Sequence, residues 1–187
     1  MKKFLAVVLI PALAGCLTSK VPPVFYWPLE YKGPVASAPV LKYGVVRVLP
    51  VAVRAPYNAR AITVLRTDGS VAFDPLNEFS ALPAQLAKGA LSDALAASGL
   101  FKDVVETSSI ATSDVSVEVT VERLALDCRQ ESQRTAVAEI VVKFLKGHAI
   151  LASQKGSGAA DAADGNYGAA FSTALSSAFA MALEQLR

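Results

Sequence analysis

Val115-Ser116-Val117-Glu118-Val119-Thr120-Val121 alternates apolar and polar residues without a break. A period of two puts the four valines on one face of a strand and Ser116, Glu118 and Thr120 on the other. The phase then shifts, because Leu124 and Leu126 are even-numbered. The pattern predicts a β-bulge near Arg123 that returns both leucines to the buried face. Polar residues 130–133 read as a loop, and residues 135–145 as a second long strand. There Ala136, Ala138, Ile140, Val142 and Phe144 share a face, with Glu139 and Lys143 opposite. Lys146-Gly147 turns the chain into a third strand over 148–153, and the three fit an antiparallel meander.

Upstream, residues 43–53 are rich in β-branched side chains: Val45, Val46, Val48, Val51 and Val53. Pro50 interrupts them, which predicts an edge strand or a bulge there. Residues 61–66 read as another strand. Thr67-Asp68-Gly69-Ser70 is a hairpin signal, with 71–73 as the returning strand. Further upstream, Val24-Phe25-Tyr26-Trp27-Pro28-Leu29 is either a first edge strand or a segment lying over the core. Residues 33–39 form a small-residue connection.

Two segments have helical period. In the first, Phe79, Leu82, Leu86, Ala90 and Asp93 fall on one line, and Leu91 and Leu95 on a neighbouring one. Gln85, Lys88 and Ser92 lie opposite. Ser80 is a candidate cap, Pro83 fits the first turn and Gly99 is a stop signal. Leu100-Phe101 then leads into a short strand through Val105. In the second, Tyr167, Phe171, Leu175, Ala178, Ala182 and Leu186 recur at helical spacing, with Ser172, Thr173, Ser176 and Ser177 on the other side. Residues 156–165 between strand and helix read as a flexible loop. Strands and helices are segregated. The fold class expected is α+β: a mostly antiparallel or mixed sheet with two amphipathic helices packed on one face.

The N-terminus has a different character. Lys2 and Lys3 precede an apolar run over 4–13, the layout of a secretory signal peptide and too short to span a bilayer. Leu13-Ala14-Gly15-Cys16 resembles a bacterial lipobox. That resemblance implies a signal peptide over 1–15, removed ahead of Cys16, and acylation of Cys16 on sulfur and nitrogen. Three acyl chains exceed the two-anchor threshold for stable attachment. Residues 16–23 then form the lipidated cysteine and a short stiff tether, and 24–187 a single domain. Leu17, rather than Asp, follows the cysteine, which points to the periplasmic face of the outer membrane.

The whole chain carries 18 basic and 16 acidic side chains. Removing Lys2 and Lys3 leaves a neutral mature chain, which favours neither nucleic acid nor an acidic substrate. Cys128 is the only other cysteine, so a lipidated Cys16 leaves no internal disulfide and no cysteine-built metal site.

Few residues suggest chemistry. His148, the only histidine, has no nucleophile or orienting carboxylate placed beside it by sequence. Gly156-Ser157-Gly158 lacks the spacing of a hydrolase elbow and the lysine of a phosphate loop. Asp161 and Asp164 lack the alternate-residue spacing of a calcium loop. Glu118 and Glu122 share a solvated strand face, and Asp127 stands beside a packed Cys128. No catalytic residue, metal ligand or cofactor is expected. Phe25, Tyr26 and Trp27 remain as the candidate contact with a partner or with lipid, beside the plainer reading that they pack on the core.

The order of elements resembles the ABC-type transport auxiliary lipoproteins, the PqiC-like family that accompanies mammalian-cell-entry (MCE) transport systems. Tyr26-Trp27-Pro28-Leu29 stands where the family has an aromatic-aromatic-x-Leu segment. The valine-rich strand Val46-Arg47-Val48-Leu49-Pro50-Val51-Ala52-Val53 follows. Tyr57 then precedes Arg60 and the strand Ala61-Ile62-Thr63-Val64-Leu65-Arg66. Next come Phe79-Ser80-Ala81-Leu82-Pro83-Ala84-Gln85-Leu86 and Leu95-Ala96-Ala97-Ser98-Gly99-Leu100-Phe101-Lys102-Asp103-Val104, and a final alanine-rich helix. The resemblance implies a non-enzymatic outer-membrane lipoprotein. Its partners would be a periplasmic MCE-domain protein with its permease and ATPase, and its cargo lipid moving between the two membranes. Homo-oligomerisation stays open. The competing reading is an outer-membrane lipoprotein that activates a peptidoglycan synthase or assembles an outer-membrane barrel.

Overall fold

A computed structural model describes residues 21–130 and 132–186. The expected signal peptide, Cys16 and most of the tether lie outside the described residues. Among the described residues nine strands and two helices follow in chain order. They are β1 (Phe25–Trp27), β2 (Tyr43–Val48), β3 (Ala52–Val53), β4 (Ala61–Arg66), β5 (Val71–Phe79), α1 (Pro83–Ala97), β6 (Phe101–Glu106), β7 (Val115–Cys128), β8 (Thr135–Lys146), β9 (Ala149–Asp161) and α2 (Tyr167–Glu184). All nine strands join one mixed sheet, and the fold is α+β.

The strand that opens the sequence reading, β7, is the spine of this sheet. One edge pairs antiparallel with β8 over nearly its whole length, from Ser116↔Leu145 to Asp127↔Thr135. The other edge is shared by three short parallel strands in succession: β2 at Val115 to Val117, β3 at Thr120 and Val121, and β4 at Leu126 to Cys128. The chain thus climbs one side of β7 without reversing, which is why these contacts are parallel despite short connections. The bulge expected near Arg123 is present as a register shift between Val121 and Arg123. Val117, Val119 and Val121 before it and Leu124 and Leu126 after it are all buried, as the phase shift requires.

Pro50 explains the first break in the climb. It lies between β2 and β3, where the ladder is carried by Leu49 N–H donating to the Val117 carbonyl (3.0 Å) and Arg54 N–H to that of Val121 (3.0 Å). A proline lacks an N–H, so it stands where none is required. The edge alternative fails for β2, which runs between β6 and β7, but holds beyond the proline, where β3 pairs with β7 alone among the described residues. The connection from β6 to β7 must cross β2 without a helix, and Arg47 holds it there. Its guanidinium donates to the carbonyls of Glu106 (3.1 Å), Thr107 (3.4 Å), Ser109 (3.0 Å) and Ala111, and to Ser113 Oγ (3.3 Å).

Several expectations need correction. Phe79 ends β5 and is not in the first helix. Ser80 does not cap that helix; Leu82 occupies the N-cap with no side-chain bond, and Pro83, with φ already helical, starts it. Asp93 is exposed, and the buried stripe is Ala87, Ala90, Leu91, Ala94 and Leu95. Gly99, at φ +65°, does stop the helix. The returning hairpin strand extends well beyond residue 73.

The largest correction concerns residues 156–165. They are not a flexible loop: β9 continues through Asp161, paired with β8 as far as Thr135↔Asp161. Gly156 and Gly158 sit where α2 crosses. A Cβ on Gly156 would stand 2.0 Å from the Ala178 carbonyl oxygen, and one on Gly158 2.0 Å from that of Ala174. The glycines serve close backbone approach. Helix α2 packs against β8 and β9, and α1 against α2, β6, β2 and β3. The core contains Ile140 and Val142 of β8, with Phe171, Leu175 and Phe179 of α2. Phe79 meets Phe171 edge-on at 5.2 Å.

This contact predicts opposite outcomes for two glycine substitutions. Gly156→Ala should lower unfolding free energy by about 1–3 kcal/mol, because helix and sheet must separate to admit a methyl group. Gly89→Ala, in α1 with nothing within 4 Å of the added Cβ, should raise it by about 0.5–1 kcal/mol. Urea titration of both variants reads the difference.

Candidate functional site

Strand β1 ends the sheet, pairing parallel with β5 as Phe25↔Asn77, Tyr26↔Glu78 and Trp27↔Phe79. Of the two readings for this segment, the edge strand is what forms. Alternation within it sends Phe25 and Trp27 to one face and Tyr26 to the other. Phe25 and Tyr26 are 52% and 56% exposed, so these two do not pack into the core. Trp27 is half-buried and packs against it.

Trp27 is held from three sides. Its Nε1–H donates to Asn77 Oδ1 at 2.9 Å. Its ring meets Tyr167 edge-on at 6.0 Å and stacks on Phe25 at 6.4 Å. Gly168, at the start of α2, leaves room for the ring: an added Cβ would lie 3.0 Å from Trp27 Cε3. Asn77 is itself fixed. Its Nδ2 donates to Asp74 Oδ1 (3.0 Å), which also accepts from the N–H groups of Leu76 (2.9 Å) and Asn77 (3.0 Å). This Asx turn makes Asp74-Pro75-Leu76-Asn77 a bulge in β5, matching the register shift opposite Ala61 and Thr63. The bulge is not among the features expected from sequence, although the pattern Asp-Pro-x-Asn could have signalled it.

On the other face, Arg60 lies over the Tyr26 ring at 5.2 Å. Its Nε donates to the Phe79 carbonyl (3.2 Å), and its guanidinium pairs with Glu78 (3.4 Å). The edge is therefore aromatic on both faces with a cation against one of them. Arg60 was not recognisable as part of this group, because 34 residues separate it from Tyr26.

After β1 the chain crosses α2. Leu29 is buried, and the N–H groups of Glu30 and Lys32 donate to Ser172 Oγ (3.0 Å) and Ser176 Oγ (2.7 Å). Ser172 and Ser176 were expected on the open side of the helix with Thr173 and Ser177. They are instead 1% and 3% exposed, while Thr173 and Ser177 face outward. Two serines one turn apart match two N–H groups two residues apart on an extended strap.

The remaining candidates stay apart from one another. His148 is exposed in the β8–β9 turn. Glu122 pairs with Arg54 (2.7 Å), and Glu118 stands opposite Lys143. Asp161 and Asp164 close local turns by accepting from Ala163 N–H (3.0 Å) and Asn166 N–H (2.8 Å), and Asn166 caps α2. Among the described residues no cluster of metal-ligating side chains occurs. An open depression of about 690 Å³ on β7, β8 and β9 is lined by Arg54, Thr120, Glu122, Glu139, Lys143 and Lys155. The Arg129 guanidinium holds the Asp127 carboxyl below its ordinary range. Burial pushes the Cys128 thiol up.

No family model matches the chain, and no curated protein matches it. Solved structures do. A Xanthomonas campestris protein assigned to family DUF330 is 19% identical over 82% of this chain and 89% of that one, with a TM-score of 0.67. The crystal structure of an uncharacterized protein is 12% identical over 86% of this chain and 99% of that one, with a TM-score of 0.59. The PelC dodecamer from Paraburkholderia phytofirmans aligns at 11% identity over 77% and 89%, with a TM-score of 0.43. The first two share this chain's fold.

Two predictions follow from these contacts. Ser176→Ala removes the acceptor of Lys32 N–H and should cost about 1–2 kcal/mol in urea unfolding. The raised thiol pKa keeps Cys128 protonated to higher pH than a free cysteine. Its alkylation by iodoacetamide at pH 8 should therefore be slower in the folded chain than in urea, read by mass spectrometry.

Proposed function

We propose that this chain is a non-enzymatic lipoprotein of the outer membrane, anchored through Cys16 on the periplasmic face. In this reading it serves as an accessory to an MCE-type ABC transport system that moves lipid between the inner and outer membranes. The observation that carries the reading is the junction between lipobox and domain. Cys16 precedes Phe25 by nine residues, and nine residues of extended chain span at most about 30 Å. A domain so tethered stays at the membrane surface with its β1 edge nearest the anchor.

The rest of the architecture supports the same division of labour. Both helices lie on one face of the sheet in this reading. The charged depression on β7, β8 and β9 is then the surface offered to the periplasmic partner. Its charged side chains are of both signs, Arg54 paired with Glu122, and Glu139 with Lys143 and Lys155 in the same lining, so they suit a polar protein surface better than an apolar cargo. The energy for transport belongs to the partner ATPase.

Purification of the protein from its native envelope tests both halves. The N-terminal peptide should carry acyl chains on Cys16, and Cys16→Ala should release the protein from membranes. An MCE-domain protein with its permease and ATPase should be recovered alongside. Recovery of a peptidoglycan synthase or an outer-membrane barrel, with no MCE component, would overturn the transport reading in favour of an activator or assembly factor.

A further inference from the structure

Residues 21–26, Val21-Pro22-Pro23-Val24-Phe25-Tyr26, are apolar without interruption, and every one is exposed. Four of the large exposed apolar side chains, Val21, Val24, Phe25 and Tyr26, fall in this one stretch. The backbone of Phe25 and Tyr26 pairs with β5, but their side chains and those before them stay exposed, and an exposed apolar run of this length marks a contact surface. We infer that this run and the β1 edge rest in the headgroup layer of a phospholipid membrane, with Phe25 and Tyr26 reaching toward the acyl chains.

Three features select a lipid surface over a protein groove. Apart from the Tyr26 hydroxyl, the run offers no polar side-chain group with which to specify a protein partner. Tyr26 and Trp27 are the side-chain types that settle where apolar and wet phases meet, and Arg60, stacked on Tyr26, keeps a side chain 44% exposed toward a lipid phosphate although it also pairs with Glu78. Among the described residues β1 pairs only with β5, and its outer edge limits the depth. Its unpaired backbone groups are costly in hydrocarbon but are satisfied by water and headgroups. The inference rests on the anchored reading for its geometry. The tether keeps the run within about 30 Å of the acyl chains, so a contact too weak to hold a free protein becomes an intramolecular one.

Trp27 is the only tryptophan in the chain and supplies the readout. The full-length processed protein would be reconstituted into vesicles of phosphatidylethanolamine and phosphatidylglycerol, with and without brominated acyl chains. Trp27 emission should be quenched by the brominated lipid. An acylated Phe25→Ser, Tyr26→Ser variant should lose most of that quenching, and Ile150→Ser, Leu151→Ser, at a distant exposed apolar site, should keep it. An acylated, vesicle-bound protein with unquenched Trp27 overturns the inference and leaves the anchor standing. Quenching in a protein that mass spectrometry finds unacylated sustains the surface and overturns the anchor. Absence of both overturns both.

Discussion

The sheet is organised by what the two edges of β7 can hold. Fourteen residues long, β7 offers one uninterrupted edge to β8 and divides the other among β2, β3 and β4. Each of those three strands is too short to be stable alone, and each gains its hydrogen bonds from a section of a strand already fixed by β8. The remaining strands attach outside these: β6 to β2, β5 with β1 to β4, and β9 to β8. The bulge at Arg123 matters because side chains change face at every residue. Without the extra residue, Leu124 and Leu126 would point away from the core that Val117, Val119 and Val121 define.

Helix α2 closes this arrangement from a distance set by backbone rather than by side chains. Gly156 and Gly158 let the carbonyls of Ala174 and Ala178 approach β9 closely, and small residues on the helix complete the fit. The same helix receives the strap of residues 28–32 through Ser172 and Ser176. One helix therefore ties the last long strand to the segment that leads out of β1. Tyr167 and Gly168 at its start also shape the space that Trp27 fills. The orientation of the aromatic edge is thus a consequence of core packing and of the Asp74–Asn77 turn, not of β1 itself, which is only three residues long.

This dependence gives the proposed anchoring its physical sense. A three-residue edge strand on a tether would be a poor platform if it moved independently of the domain. Here the carbonyl of Trp27, the last residue of β1, accepts from Ser80 N–H (2.8 Å), the Trp27 ring is wedged against α2, and Arg60 braces the opposite face.

Much of the fold was legible in the residues. The alternation of 115–121, the phase shift before Leu124 and the Asp68-Gly69 turn are local patterns that local geometry must obey, and the strands, bulge and hairpin follow them. The aromatic edge was legible as a candidate for the same reason, since no other stretch combines three aromatic side chains. What the residues left undecided was partnership. Gly156-Ser157-Gly158 has the composition of a loop, and only the helix packed above it makes it a strand. Ser172 and Ser176 have the composition of a solvated helix face, and only the strap makes them buried acceptors. Parallel pairing along β7 leaves no mark in the strands that take part, because the valines of β2 would suit either direction. Sequence determines which backbone each segment prefers and which side chains seek burial. The tertiary structure decides what each face is buried against, because that depends on residues more than a hundred positions away, as Glu30 and Ser172 are.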